Sequence, residues 1–188
     1  MGACQSKKTV GWGSITESLI LDDFDAAGVA FVTNTHILAG YQPHKSDPII
    51  TGIGGKREGG ELYLQTALRE AVEELFHVSD VDPRLINRLS RICKPITTIV
   101  QGGYVIVVYD FHTLTTFLKI VSKYDLYTSL YDEMPLTVSD LILNRRVHPK
   151  AEISHLVLVP LVHHSPIGPF VHHEFLADIA QIKTVLST

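Results

Sequence analysis

The sequence predicts an α/β fold in which helices cover both faces of a β-sheet. Three observations predict it. Short runs rich in β-branched and aromatic residues are interleaved with stretches of helical period. Turn signals separate the runs, at Asn34–Thr35, from Pro43 to Pro48 and at Gly102–Gly103. Apolar residues form 45% of the 188-residue chain and charged residues 19%, which is ample for one sizeable core. The length fits one domain, residues 21–188, behind an N-terminal arm of residues 1–20, with room for an insertion at 112–150.

The first twenty or so residues carry no period beyond an early strand around Ser18 to Leu21. Ala27 to Val32 and His36 to Tyr41 are β-forming runs on either side of a turn, so they read as a hairpin. Ile49 and Ile50 lead into a glycine-rich stretch, Gly52 to Gly60. Glu61 to Phe76 is helical, because Leu64, Leu68, Ala71 and Leu75 recur at three- and four-residue steps. Pro83 to Arg91 reads as a second short helix. Ile96 to Val100 and Tyr104 to Tyr109 form a hairpin through Gly102–Gly103. Leu114, Phe117, Leu118 and Val121 mark a third helix. Residues 125–150 show no clear pattern. Ile153 to Leu161 reads as a buried strand with His155 in the core, and Phe175, Ile179, Ile182 and Leu186 give a closing amphipathic helix.

Composition narrows the function. A net charge of −4 and a pI near 6.2 do not favour a broad electrostatic grip on nucleic acid, although a local basic pocket stays open. Two cysteines, Cys4 and Cys93, give neither a disulfide framework nor metal-ligand spacing, which fits a reducing, cytoplasmic setting. No apolar run reaches membrane-spanning length. The first residues do match the N-myristoylation pattern, with Gly2 as acceptor and Ser6 at its fixed offset. One acyl chain anchors only marginally, so Cys4 by palmitoylation, or Lys7 and Lys8 by attraction to anionic lipid, would have to add to it. On that reading the protein associates with a membrane surface.

The chemistry concentrates between Gly54 and Glu74. Glu70, Glu73 and Glu74 stand at i, i+3 and i+4, and at about 100° per residue they lie opposite the apolar stripe, facing outward together. Like charges at this spacing repel, and a hard dication would remove the conflict. A solvated acidic face is the plainer reading of the carboxylates alone. The glycines ahead of them let the backbone approach a ligand closely. This is no P-loop, since no Gly-Lys-Ser/Thr triplet closes it.

Together, loop and helix resemble the box of the Nudix hydrolase family, Gly-x5-Glu-x7-Arg-Glu-U-x-Glu-Glu-x-Gly-U with U aliphatic. Gly55, Glu61, Arg69, Glu70, Glu73 and Glu74 occupy its fixed positions. Six such matches arise by chance at ~10⁻⁷ per register at average usage. The segment Gly54-Gly55-Lys56 with Glu58, Gly60 and Glu61 resembles the family's usual approach to the box. The resemblance is good over residues 26–78. It departs at Phe76, where the box ends in glycine, at His77 in an aliphatic position, at the small Ala71, and at Ile53 where proline is common.

The resemblance implies an α/β/α sandwich with a mixed sheet, and a hydrolase that cuts a diphosphate linkage with metal-activated water. Glu70, Glu73 and Glu74, with the Gly54 carbonyl, would hold Mg²⁺ or Mn²⁺. Glu61 would pair with Arg69, and Gly55 and Lys56 would meet the substrate. Glu70 or Glu73 would take the water's proton, or else a later residue, Glu152 or Glu133. The implied partner is a small nucleotide diphosphate. The family also includes enzymes of capped RNA and of inositol pyrophosphates, which the low basic content does not favour. Tyr41, Tyr104, Phe31 and Trp12 are the candidate aromatic platforms for a base. Two other readings compete with the enzyme: a Nudix-fold module that senses a nucleotide without cutting it, and a membrane-tethered interaction protein.

Overall fold

A strand buried on both faces reads as a continuous apolar run, and Ala26–Val32 (β1) is such a strand, with every residue after Ala26 buried. The computed structural model describes residues 23–44, 48–161 and 168–187. The N-terminal arm, with Gly2, Cys4, Trp12 and the early strand expected from Ser18 to Leu21, lies outside the described residues.

β1 lies parallel to Tyr104–Asp110 (β6), from Ala26 opposite Tyr104 to Val32 opposite Asp110. The other pairings are antiparallel, so the sheet is mixed. The expected first hairpin is a corner rather than a ladder: β1 meets His36–Gln42 (β2) at Val32 and Ile37, and the strands then part. The glycine-rich chain enters the opening, bent at Gly52. Ile49–Thr51 (β3) pairs with β2, and Ile53–Lys56 (β4) pairs with β1. Thr97–Gln101 (β5) closes one side through a hairpin with β6, where Gly102 takes a left-handed φ of 56°. His155–Pro160 (β7) closes the other side against β2.

Helices cover both faces, as expected. Tyr63–Phe76 (α1), Pro83–Ile92 (α2), Phe111–Val121 (α3) and Val138–Leu143 (α4) lie over Ala27, Val29, Phe31, Val105 and Val107. His173–Leu186 (α5) sets Phe175, Ile179 and Ile182 against Ala30, Val32, Ile106 and Val108 on the opposite face. Among the described residues no helix is long and apolar enough to cross a membrane. The unpatterned stretch after residue 125 joins the main core, where Leu130 and Leu141 are fully buried and the Tyr131 hydroxyl donates to the Leu141 carbonyl at 2.9 Å.

β7 corrects one expectation. Leu156 is buried in the main core and Val159, on the other face, in the core beneath α5, while His155 and Leu158, one from each face, are exposed, so both faces are covered only in part. His155, expected in the core, is exposed, and its Nδ1 lies 2.9 Å from the Ser154 hydroxyl. A run of apolar residues does not reveal whether both faces of a strand are covered.

Candidate active site

Arg69 organises the acidic helix. Its guanidinium carries five N–H donors, and each has an acceptor here. Nε donates to Glu61 Oε1 at 2.9 Å, and Nη2 to Glu61 Oε2 at 3.2 Å and to the Lys56 carbonyl at 2.8 Å. Nη1 donates to Glu70 Oε1 and Glu73 Oε2, both at 2.9 Å. The expected pair of Arg69 with Glu61 is therefore one arm of a larger clamp. With an 8% exposed side chain, Arg69 ties β4, the turn after it and one face of α1 into a single unit.

Glu70, Glu73 and Glu74 do not project into solvent as expected. The side chains of Glu70 and Glu73 are 14% and 23% exposed; both pair with Arg69, and the Glu70 carboxylate packs against Gly55 of the glycine strand. Glu74 turns inward, where its Oε2 accepts the Gly54 N–H at 2.9 Å. Nor do the three carboxylates converge on one point: among the described residues no group of three or more acidic, histidine or cysteine side chains is arranged around a common centre. Arg69 draws Glu70 and Glu73 together, while Glu74 is drawn to the β4 backbone.

The electrostatics are unbalanced in a telling direction. Burial raises the Glu61 carboxyl, but hydrogen bonds from Arg69 and Thr66 outweigh it and hold the group below its ordinary range. Burial also raises Glu70 and Glu73, and there the pull of Arg69 is not enough to reverse it. Glu74 is pushed well above the usual carboxylate range, first by burial and then by Glu152, against the Gly54 N–H and Arg145. Within this cluster the acids outnumber the one arginine that binds them. Hard carboxylate oxygens carrying surplus negative charge suit a hard dication such as Mg²⁺ or Mn²⁺. The backbone beside them is shaped to match: a Cβ at Gly55 would stand 2.5 Å from the Glu70 carboxylate atoms. The glycine thus lets that carboxylate pack directly against the strand backbone. Lys56 extends from the same strand with an exposed side chain.

The two late acids separate. Glu152 accepts a hydrogen bond from Gln42 Nε2 at 3.0 Å and lies close enough to Glu70 and Glu74 to raise both. Glu133 is exposed in the segment leading to α4, and no contact among the described residues brings it to the cluster. Of the aromatic candidates, Phe31 is stacked on Tyr109 in the core, centroids 5.7 Å apart, and so offers no platform. Tyr41 packs against His155 at 6.2 Å. Tyr104 lines a cleft beside Gly54.

Sequence reasoning missed three supports. Gln42, 5% exposed at the end of an apolar strand, aims at Glu152. Arg145 reaches the end of α1, donating to the carbonyls of Glu74 at 3.0 Å and Leu75 at 2.6 Å. It also binds the Ile153 carbonyl at 2.8 Å and the Tyr131 hydroxyl at 3.1 Å. Thr128 donates to the Phe76 carbonyl. The one available signal was a polar residue, Gln42, where the strand pattern called for an apolar one; Arg145 and Thr128 sit in the stretch without a period.

The fold and cluster define an α/β/α sandwich in which the short strand β4, paired with β1, packs against an acidic helix locked by one arginine. Solved structures similar to this chain include a Nudix hydrolase from M. smegmatis, RenU, 16% identical over 88% of this chain and 86% of that one, TM-score 0.47. A MutT Nudix hydrolase from Burkholderia pseudomallei is 14% identical over 84% and 95%, TM-score 0.39. A bifunctional NMN adenylyltransferase/ADP ribose pyrophosphatase from Francisella tularensis, complexed with AMP and a Mn ion, is 17% identical over 90% of this chain and 44% of that protein, TM-score 0.42. No protein-family model and no curated protein matches the sequence.

Proposed function

We propose that this chain is a Nudix-type diphosphohydrolase, which requires a divalent metal and uses water to cut a diphosphate linkage in a nucleotide-linked small molecule. The observation that carries this reading is the Arg69 clamp. Glu61, Glu70 and Glu73 meet on Arg69 in one network, with Glu74 beside it on the Gly54 N–H, and the acids carry more negative charge than the arginine neutralises.

Glu70, Glu73 and Glu74, with the Gly54 carbonyl, would hold Mg²⁺ or Mn²⁺ by turning from their present partners, Arg69 and the Gly54 N–H, toward a common ion. When bound, the ion would supply positive charge against the diphosphate and polarise the attacked phosphorus. Arg69 and Glu61 are positioning residues that fix the carboxylate face against β4. Gly55 and Lys56 meet the diphosphate, the glycine by letting the Glu70 carboxylate sit against the backbone and the lysine by charge. Glu152 takes the proton of the attacking water: it is exposed, oriented by Gln42, and within electrostatic reach of Glu70 and Glu74. The reading of a silent sensing module has no feature of its own here, since no acid of the box and no donor of Arg69 is missing.

The test is a panel of nucleotide-linked diphosphates incubated with Mg²⁺ or Mn²⁺, with and without chelator, the products followed by phosphorus NMR. The expected result is cleavage to phosphate monoesters that stops on chelation. Absence of cleavage across the panel, or cleavage indifferent to chelator, would overturn the proposal.

A further inference from the structure

A cleft of about 440 Å³ opens on the α5 side of the sheet, beside the strand whose other face carries the acidic helix. Its floor is the backbone of Gly52 and Gly54. Two aromatic side chains line it and pack directly on the glycines: a Cβ at Gly52 would meet the Phe175 ring at 3.2 Å, and one at Gly54 would lie 2.6 Å from the Tyr104 hydroxyl. A cleft lined by aromatic side chains together with a few polar groups suits a planar, polar ring system. Only the glycine backbone separates this cleft from the acids. The Gly54 N–H is bound by Glu74, and the buried Tyr104 hydroxyl is raised by burial and then by Asp178, Glu74 and Glu70, so it lies between the two sets of carboxylates. At this point β4 pairs with β1 on one edge, while its Gly54 N–H goes to a side chain instead of a neighbouring strand. A molecule passing that edge reaches both sites.

The cleft has two polar pairs: His172 and Glu174, 3.8 Å apart at its more exposed rim, and a second pair set deeper. Gln101 Nε2, from the end of β5, donates to Asp178 Oδ1, from α5, at 3.1 Å. That bond takes one N–H of the amide and orients the carboxylate, whose second oxygen keeps its acceptor capacity; among the described residues Gln101 is its hydrogen-bond donor. A carboxylate held in this way presents acceptors and no donor.

We infer that this cleft binds the base of the substrate and that Asp178, positioned by Gln101, selects a purine presenting two adjacent N–H donors, as guanine does. Two parallel N–H bonds to one carboxylate are matched by the guanine ring nitrogen and its exocyclic amine. Adenine presents an acceptor at the equivalent ring nitrogen and is disfavoured there. The inference rests on the diphosphohydrolase reading for placing the phosphates at the acidic helix, and it narrows the substrate class to guanine nucleotides.

The experiment is equilibrium binding of GMP, AMP and 2′-deoxy-GMP to the full chain, with thermal unfolding as a control for folding. None of the three contains a diphosphate, so their binding does not depend on hydrolysis. Wild type is expected to hold GMP about tenfold or more above AMP. Asp178→Asn is expected to remove that preference, mainly by loss of GMP affinity, and Gln101→Met to reduce it. Both variants are expected to keep the wild-type unfolding temperature to within a few degrees. Equal affinity for GMP and AMP in wild type, or undiminished preference in Asp178→Asn, overturns the inference. So does a loss for 2′-deoxy-GMP as large as that caused by Asp178→Asn, since the carboxylate would then be holding the ribose. Guanine preference without cleavage of any diphosphate would leave this inference standing and remove the hydrolase.

Discussion

Arg145 donates from Nη2 to the backbone carbonyl of Glu74 at 3.0 Å, while the Glu74 side chain accepts the Gly54 N–H at 2.9 Å. Glu74 is thus held at both ends, by an arginine from the segment before β7 and by the glycine strand. The same guanidinium binds the Ile153 carbonyl, one residue after Glu152. The end of the acidic helix and the late glutamate therefore share one anchor.

Arg145→Met should remove four hydrogen bonds from a charged donor and cost about 2–4 kcal/mol of stability. Urea unfolding measures this. Arg145→Lys should recover only part of the loss, since a lysine ammonium lacks the planar fork that spans four acceptors. Full recovery by lysine would mean that the charge matters and the geometry does not.

Glu74→Gln should separate stability from function. The amide oxygen can still accept the Gly54 N–H, and the substitution removes a carboxylate whose ionised form burial opposes. Thermal unfolding without metal should therefore show equal or greater stability, while diphosphate cleavage falls by about 10²-fold or more. A variant both destabilised and fully active would contradict this assignment.

The pH dependence of stability has a definite sign. Glu70, Glu73 and Glu74 have folded-state pKa values above the ordinary carboxylate range. Their contribution to the metal-free fold is thus greatest below the unfolded pKa and is lost as pH rises through the folded values. A dication binds the ionised form, so the gain in unfolding temperature on adding Mn²⁺ should grow between about pH 5 and pH 8. A gain that stays flat or shrinks with pH over that range would argue against ion binding at these acids.

Helix α1 ends at His77 with φ 53° and ψ 54°, a left-handed conformation that favours glycine. The box glycine at Phe76 is replaced by a fully buried core residue, and the left-handed turn falls one position later. His77→Gly should stabilise the fold by about 0.5–1 kcal/mol, the relief of αL strain being partly offset by backbone entropy. Chemical denaturation would detect it.

Much of this was legible in the sequence because short-range periods recorded it. The step of three and four through Leu68, Ala71 and Leu75 placed α1, and the spacing of six box residues placed the clamp around Arg69. Contacts distant in sequence left no such record. Arg145 meets Glu74 across 71 positions and Gln42 meets Glu152 across 110, and neither pair has a local pattern. The direction of the acids was misread for a related reason. Helical geometry shows that Glu70, Glu73 and Glu74 share a face, but not that the glycine strand would pack against it. His155 was misplaced because an apolar run does not show how far along a strand face the covering layer extends: Val159 on the same face is buried while His155 is exposed.

The claim on which the rest depends is that the acidic face of α1 binds a divalent metal. Mn²⁺ titration followed by electron paramagnetic resonance tests it directly, on wild type, Glu70→Gln, Glu73→Gln, Glu74→Gln and the distant control Glu133→Gln. The account predicts at least about tenfold weaker Mn²⁺ binding in each of the three α1 variants, and wild-type affinity in Glu133→Gln. Equal affinity in all five proteins would contradict it.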